Sequence, residues 1–171
     1  MATRQSSEGT EPAVLPGRIP AANDGDALDA LSLLREDHEE VSDMLDEYEE
    51  AEADDRQDIA QSICEALTVH ARIEEEIFYP AAREVLVEED RELVNEADVE
   101  HATLKQLIER IQSLDGADDH FDAMVRVLGA YVKHHVGEEE NELFPKLEDT
   151  ELDLEALGQR LAQRRSELSS E

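Results

Sequence analysis

The 171-residue sequence contains no tryptophan, one cysteine and few aromatic residues. The lone Cys64 cannot form a disulfide within the chain, which favours a location in the reducing cytoplasm. Because aromatic residues make up only 4 % of the chain, aliphatic side chains must fill the core. No run of about 18 apolar residues is present, so we predict no transmembrane helix. The N-terminal residues lack the apolar segment of a signal peptide, and we expect no export by that route.

Basic residues are also scarce. Lysine and arginine number 15 against 46 aspartates and glutamates, which gives a formal net charge of −31. A surface of this charge repels phosphate, so we predict no binding to nucleic acids and no adhesion to anionic membranes. General solubility and adaptation to a salty cytoplasm both explain such acidity, and the composition is compatible with either.

Glycine is absent between Gly25 and Gly116, and leucine, alanine, glutamate and arginine dominate that stretch. These residues favour helices and no strand-like alternation occurs, so we predict an all-α protein. Three of the five prolines lie in residues 1–26, which lack apolar periodicity and are predicted to be a disordered tail. A four-helix bundle over residues 27–149 and a short C-terminal helix over residues 150–171 complete the predicted organisation.

Breaks in the helical pattern predict the limits of the helices. A cap within residues 23–26 is expected before the first helix, and Pro80 is expected to interrupt the second, with a short helical stretch continuing to Val87. Short links between helices favour an up-down antiparallel arrangement. The predicted helices are A (27–51), B (from a cap at Asp54 and Asp55 to 79), C (89–114), D (from a cap at Asp118 or Asp119 to Pro145) and E (from a cap at Asp149 and Thr150 to the end).

Each helix of the predicted bundle carries an apolar stripe at a spacing of three and four, and each stripe contains one histidine. These histidines are His38, His70, His101 and His135. They lie roughly 15 to 19 residues from the turn that joins their two helices, so at about 1.5 Å per residue their heights differ by about one helical turn. A single histidine in such a stripe is typical of a hydrogen-bonded core residue, whereas four at one level favour a shared site.

Two of the stripes also contain a glutamate. Glu74 follows His70 by four residues and Glu139 follows His135 by four, so each pair shares a helix face. A carboxylate buried in an apolar stripe costs several kcal/mol unless it is neutralised or bound to a metal ion. The imidazoles and carboxylates therefore predict a cation site inside the bundle, the alternative being an acidic bundle that buries these groups without metal.

The two histidine–glutamate pairs belong to an internal repeat. The segments 70–80 and 135–145 each contain His, Glu at +4, an aromatic residue at +9 and Pro at +10. His38 and His101 precede these segments by 32 and 34 residues. Each half of the chain is therefore predicted to be a helical hairpin that contributes two histidines and one glutamate to a site with pseudo-twofold symmetry.

This doubled motif resembles the HHE cation-binding domain of the hemerythrin-like family over about residues 27–147. The resemblance implies an up-down four-helix bundle with a non-haem di-iron centre, that is, two iron ions bridged by the two carboxylates. Mixed nitrogen and oxygen donors also suit manganese or zinc. By motif position, the resemblance implies as metal ligands His38, His70 and Glu74 from the first half and His101, His135 and Glu139 from the second.

The sequence departs from the oxygen-carrying hemerythrins at two positions. Lys105 stands where those proteins have a further histidine, and Glu139 follows its histidine by four residues where they have an aspartate at five. Both departures argue against reversible oxygen carriage. Ferritin-like di-iron proteins carry Glu-x-x-His on two helices, and this reading is excluded because the residues three before the four histidines are Arg35, Leu67, Asp98 and Val132.

One centre of this kind supports several functions. The first is binding or sensing of O2, NO or peroxide, with a separate protein partner to carry the signal. The second is an enzyme that removes peroxide or NO, and the third is a metal buffer. The ligand residues are common to all three, so the sequence leaves open whether the protein is an enzyme.

Residues beside the predicted ligands are given simpler interpretations. Glu75, Glu76, Glu138 and Glu140 are predicted to be solvated and His120 to be exposed. His134 is expected to lie on the helix surface or to support a neighbouring ligand, with direct metal binding as the less favoured alternative. Tyr131 is expected either to donate to a bound ligand or to pack, and Gly137 to leave room for a small molecule or a close helix contact. Cys64 is interpreted as a small core residue. Helix E is expected either to cap the bundle or to join a partner through Leu152, Leu154, Leu157, Leu161 and Leu168.

Overall fold

The computed structural model describes residues 28–170, and within them every regular element is helical. Two π-helical turns, Glu74–Phe78 and Glu139–Leu143, join α2 to α3 and α5 to α6, so the chain forms four long antiparallel rods and a final helix. The predicted all-α bundle is confirmed, whereas the predicted tail at 1–26 lies outside the described residues. No helix among these residues has the length and apolar content needed to cross a membrane. The helices are α1 (Ala30–Glu50), α2 (Arg56–Ile73), α3 (Tyr79–Val85), α4 (Arg91–Ser113), α5 (Phe121–Glu138), α6 (Phe144–Glu148) and α7 (Leu154–Leu168).

The caps of the first and last helices differ from those predicted. The cap of α1 is Asp29, whose carboxylate accepts hydrogen bonds from the backbone N–H and the hydroxyl of Ser32 at 3.0 and 2.9 Å. The cap of α7 is Asp153, which accepts from Ala156 N–H at 2.9 Å, and not Asp149 or Thr150. The Thr150 hydroxyl is used within the preceding turn, where it donates to a backbone carbonyl at 2.7 Å. Several polar residues near the start of a helix can serve as its cap, and the sequence does not show which of them does so.

The start of α5 also differs from the prediction. The residue before its first turn is His120, and neither Asp118 nor Asp119 caps the helix. Asp118 instead accepts from the His120 N–H at 2.8 Å and closes the turn that leads into α5. The prediction was therefore wrong by one or two residues, because the carboxylate stabilises the turn and not the helix.

The predicted interruption at Pro80 is wrong, because the helix continues through it. Proline lacks an N–H and its ring clashes with the carbonyl four residues earlier in an α-helix. Here the preceding turn is widened, and Tyr79 N–H bonds to the carbonyl of Glu74, five residues back. The same widening precedes Pro145, where Phe144 N–H bonds to the carbonyl of Glu139. Each π turn therefore begins at a predicted metal ligand and accommodates the proline that follows.

The core consists of two apolar clusters with a polar layer between them. One cluster lies towards the prolines and α7 and includes Leu34, Phe78 and Phe144. The other lies towards the α1–α2 and α4–α5 turns and includes Ile63 and Leu128. Cys64 is fully buried in this second cluster, as predicted, and burial raises the pKa of its thiol to about 11. The buried histidines and glutamates occupy the layer between the clusters.

Helix α7 packs on the bundle through buried leucines, chiefly Leu157 and Leu161. The approach to the start of α1 is close, since a Cβ added at Gly158 would lie 2.2 Å from the carbonyl oxygen of Leu28. Only glycine fits that position without displacement of the backbone. In addition, Arg165 of α7 bonds to the buried carboxylate of Asp37 on α1. Helix α7 therefore caps the bundle, one of the two roles predicted for it.

Candidate metal centre

The bundle brings the six predicted site residues into one buried layer. Each hairpin contributes a pair of imidazoles whose Nε2 atoms face each other. The Nε2 atoms of His38 and His70 are 3.1 Å apart, and those of His101 and His135 are 3.0 Å apart. All four side chains are buried. Because both hairpins have the same repeat, the two pairs face each other across the bundle with pseudo-twofold symmetry.

The two glutamates lie between these imidazole pairs. Oε2 of Glu74 is 3.2 Å from Nε2 of His70 and 3.3 Å from Nε2 of His101. Oε2 of Glu139 is 3.4 Å from Nε2 of His38 and 3.6 Å from Nε2 of His135. Each carboxylate thus contacts one imidazole of each pair.

Each of the four imidazoles also faces a carboxylate on its outer side. When Nε2 binds a metal ion, a carboxylate at Nδ1 accepts a hydrogen bond from the remaining N–H and fixes the orientation of the ring. Three of these contacts are within ordinary hydrogen-bond distance and the fourth is longer. They join Nδ1 to a carboxylate oxygen in His38–Glu140 (2.8 Å), His135–Glu100 (2.7 Å), His101–Glu75 (3.1 Å) and His70–Asp37 (3.5 Å).

These contacts correct the prediction that Glu75 and Glu140 are solvated. Their side chains are 29 % and 33 % exposed and are directed towards imidazoles on other helices. The available signal was the doubled glutamate in both repeats, since each follows a predicted ligand directly. Glu76 and Glu138, by contrast, lie away from the centre, where Glu76 contacts Arg164 at 2.7 Å and Glu138 contacts His134 at 3.2 Å.

The π turns place two aromatic rings against the centre. The hydroxyl of Tyr79 donates to Oε1 of Glu139 at 2.7 Å and lies 3.2 Å from Nε2 of His101. The ring of Phe144 stacks on His38 at 6.1 Å between centroids. The repeat predicted an aromatic residue at +9, but not its direction, because regular helical spacing does not include the extra residue of a π turn. Tyr131 packs against the second apolar cluster.

Burial and charge shift the protonation equilibria of the centre. Burial lowers the pKa of His70 to about 4. Burial also opposes protonation of His38, but the contact with the charged Glu139 carboxylate, together with the charge of Glu74, outweighs it and raises the pKa of His38 to about 9. Burial and the neighbouring Glu139 raise the pKa of Glu74 well above its usual value. Burial likewise opposes ionisation of Glu139, but the contact with His38 and the imidazole charges lower its pKa.

Several buried polar atoms of the centre have no hydrogen-bond partner within residues 28–170. They are both carboxylate oxygens of Glu74, Oε2 of Glu139 and Nδ1 of His70. An unpartnered buried polar group costs about 1–3 kcal/mol. Divalent cations would satisfy the carboxylate oxygens, and four imidazoles with two carboxylates suit iron, manganese or zinc. The ligand atoms form two overlapping groups that share Glu74, and within each group they lie within 4.8 Å of one another.

Two surface cavities are each lined in part by a histidine of the centre. One, of about 410 Å³, lies between α1 and α5 and is lined by His38, Leu45, Gly129 and Val132. A Cβ at Gly129 would lie 3.1 Å from a methyl carbon of Leu45, so α1 and α5 approach closely at this point. The other, of about 650 Å³, is lined by Asp37, His70 and Arg165. Gly137 makes no close helix contact, since an added Cβ would meet no atom within 4 Å.

We expect Tyr79→Phe to destabilise the metal-free protein by about 1–3 kcal/mol, because it leaves Oε1 of the buried Glu139 without its donor. Burial, with the charge of Glu74, raises the pKa of the Tyr79 hydroxyl well above its usual value, so the hydroxyl is protonated and donates. Urea denaturation of the metal-free variant measures the loss. Tyr131→Phe, in a partly exposed tyrosine, should change stability by less than about 0.5 kcal/mol. Equal effects of the two changes would contradict this role of Tyr79.

The comparisons with known proteins agree with this geometry. A model of the hemerythrin HHE cation-binding domain matches residues 29–147. A DNA nickase from Nostoc sp. (strain PCC 7120) is 28 % identical over 127 residues, which are 74 % of this chain but only 35 % of that protein. The crystal structure of a hemerythrin HHE cation-binding domain-containing protein from Mycobacterium kansasii superimposes with a TM-score of 0.71 at 21 % identity, over 84 % of this chain and 88 % of that chain.

The family model covers both hairpins and all six predicted site residues. The chain spans about a third of the length of the Nostoc relative, so that protein's activity is not carried over with the family. The resemblance noted in the sequence is confirmed: the chain belongs to the hemerythrin HHE cation-binding domain family.

Proposed function

We propose that this chain is a non-haem di-iron protein that binds or senses O2, NO or peroxide at the buried histidine–glutamate centre. The observation that supports this proposal is the position of the two carboxylates. Each lies between the two imidazole pairs, and three of their four oxygens have no hydrogen-bond partner within residues 28–170. Two cations, each held by one imidazole pair and bridged by both carboxylates, would satisfy these atoms.

The chain's own groups would hold the ions and leave room for a small ligand. His38 and His70 would bind one ion and His101 and His135 the other, with Glu74 and Glu139 shared. These donors number about eight, fewer than two octahedral ions accept, so positions remain for an exogenous ligand. A pair of irons would supply the redox chemistry for O2, NO or peroxide.

The surroundings of the centre favour small ligands. The cavity beside His38 is lined by apolar residues such as Val125 and Val132 together with charged ones such as Asp46 and Lys133, and it has room for diatomic molecules and peroxide. The net charge of −31 disfavours nucleic acids and anionic membranes as partners. We therefore propose neither, although the Nostoc relative is a DNA nickase. For a sensor role we propose a separate protein partner, and for the location the cytoplasm.

Elemental analysis of protein expressed with ample iron tests the proposal. We expect about two irons per chain, and their removal by a chelator should lower the melting temperature, because ions that bind only the folded state stabilise it. His101→Gln should reduce the iron content. His120→Gln should not, since that imidazole is 84 % exposed and lies before α5, away from the layer. Absence of metal after careful reconstitution would refute the di-iron proposal.

Addition of peroxide or NO to the loaded protein separates the functions that share this centre. Binding or sensing predicts a stable change in the optical spectrum that reverses when the ligand is removed. Continuous peroxide consumption with release of O2 would support the enzymatic alternative. Many irons per chain would support a metal buffer.

A further inference from the structure

We propose that Glu100, His134 and Glu138 form an outer cation site through which divalent metal ions load the buried centre. These three residues, called the outer cluster here, include none of the six ligands proposed above. The inference rests on the proposed function only in assuming that the buried centre takes up metal. It adds a second site and a route to the first.

The outer cluster has the donor set of a first-row divalent cation. Nε2 of His134 is 3.2 Å from Oε1 of Glu138, one turn later on α5, and 3.5 Å from Oε1 of Glu100 on α4. The three donor atoms lie within 4.8 Å of one another. One imidazole and two carboxylates suit Zn²⁺, Co²⁺, Mn²⁺ and Fe²⁺. The side chains of His134, Glu138 and Glu100 are 61 %, 35 % and 14 % exposed, so a hydrated ion can reach them from solvent.

Glu100 connects the outer cluster to the buried centre. Its Oε1 faces His134, while its Oε2 accepts from Nδ1 of the proposed ligand His135 at 2.7 Å. A narrow cavity of about 10 Å³ lies between α4 and α5, and Glu100, Glu138 and the buried Glu139 are among its lining residues. Glu139 is 2 % exposed, and its Oε2 has no hydrogen-bond partner within residues 28–170. The same cavity is thus lined by two carboxylates of the outer cluster and by a buried carboxylate of the centre.

Charge and the number of donor atoms both favour movement of a cation from the outer cluster to the buried centre. Further negative charge from Glu96 and Glu142 acts on Glu138, and His134 is the opposing group beside it. This field concentrates cations at the outer cluster. An ion held there keeps part of its hydration shell, because only three protein donors are present. The buried centre offers more donors in a low-dielectric layer, where each contact is stronger. Transfer inwards is therefore favourable.

The rate of Co²⁺ uptake by the metal-free protein tests the proposal. In the His134→Gln/Glu138→Gln double variant we expect uptake to slow by about tenfold, because the local concentration of cations falls. The final Co²⁺ content of the buried centre should be unchanged, because all six inner ligands remain. The matched control is Asp119→Asn/His120→Gln, which removes the same charges from an exposed His and acid before α5 and should load at the wild-type rate.

Equilibrium titration gives a second readout. Wild-type protein whose centre is already loaded should bind one further, weaker Co²⁺, and the double variant should not. Uptake by the double variant at the wild-type rate, or retention of the weaker ion, would overturn the proposal. If the wild-type centre takes up no metal, the proposed function fails instead, and the weaker Co²⁺ alone then decides whether the outer cluster binds cations.

Discussion

Replacement of Glu74 by methionine should empty the metal centre and, in the same variant, stabilise the metal-free protein. Glu74 is fully buried, and neither of its carboxylate oxygens has a hydrogen-bond partner within residues 28–170. A buried polar group in that state costs about 1–3 kcal/mol, and methionine fills a similar volume without polar oxygens. We therefore expect the free energy of unfolding without metal to rise by about 1–3 kcal/mol. Metal content should fall below that of the wild type, because the bridge between the imidazole pairs is gone.

Chemical denaturation of both metal-free proteins, together with elemental analysis after reconstitution, measures the two effects. Glu84→Met is the matched control, because this glutamate on α3 is exposed and its replacement should move stability by less than about 0.5 kcal/mol. A metal-free Glu74→Met protein less stable than the wild type would contradict the interpretation. It would show that the carboxyl group contributes to folding without a cation.

Phe144→Ala should cause the largest loss of stability among single changes near the centre, about 3–5 kcal/mol. The ring is fully buried, meets Phe78 edge to face at 5.7 Å and stacks on His38 at 6.1 Å between centroids. On its outer side the guanidinium of Arg35 lies 5.2 Å from the ring centroid. Removal of the ring leaves a cavity and also removes the surface that orients His38, so metal affinity should fall as well.

Denaturation of the metal-free protein measures the first effect, and competition with a chelator measures the second. Val127→Ala serves as the control, since this valine on α5 is 51 % exposed and should contribute less than about 0.5 kcal/mol. Retention of wild-type stability in Phe144→Ala would mean that the cavity collapses around the missing ring, which the close packing of Phe78 and His38 argues against.

The fold and the inner residues of the site could be predicted because both follow from a regular period. A layer of histidines, one in each apolar stripe and all at one height, can be predicted from the rise of the α-helix and the short links between helices. The repeat then placed Glu74 and Glu139 on the same faces as their histidines. The structure has these six side chains in one buried layer.

The features that sequence reasoning missed depend on departures from that period or on contacts between helices. A π turn shifts the register by one residue, and Tyr79 thereby contacts Glu139 of the other hairpin. Likewise, Glu75 and Glu140 share no face with the ligands of their own helices and reach imidazoles on other ones. Asp37 lies beside His38 in sequence but faces His70. No pattern within a single helix indicates such pairings.

Because Arg165 bonds to Asp37, packing of α7 on the bundle and metal binding at the centre are expected to change each other's free energy by the same amount. Asp37 lies between Arg165 on α7 and Nδ1 of His70 on α2. Any free energy that an occupied centre adds to the His70–Asp37 contact also holds α7 in place, and release of α7 lowers the affinity of the centre by the same factor. Arg165 lies outside residues 29–147, the range that the family model matches. Through Asp37 it is expected to influence the metal affinity of side chains that all lie within that range. Two relatives with identical ligands will differ in metal affinity where their final helices differ.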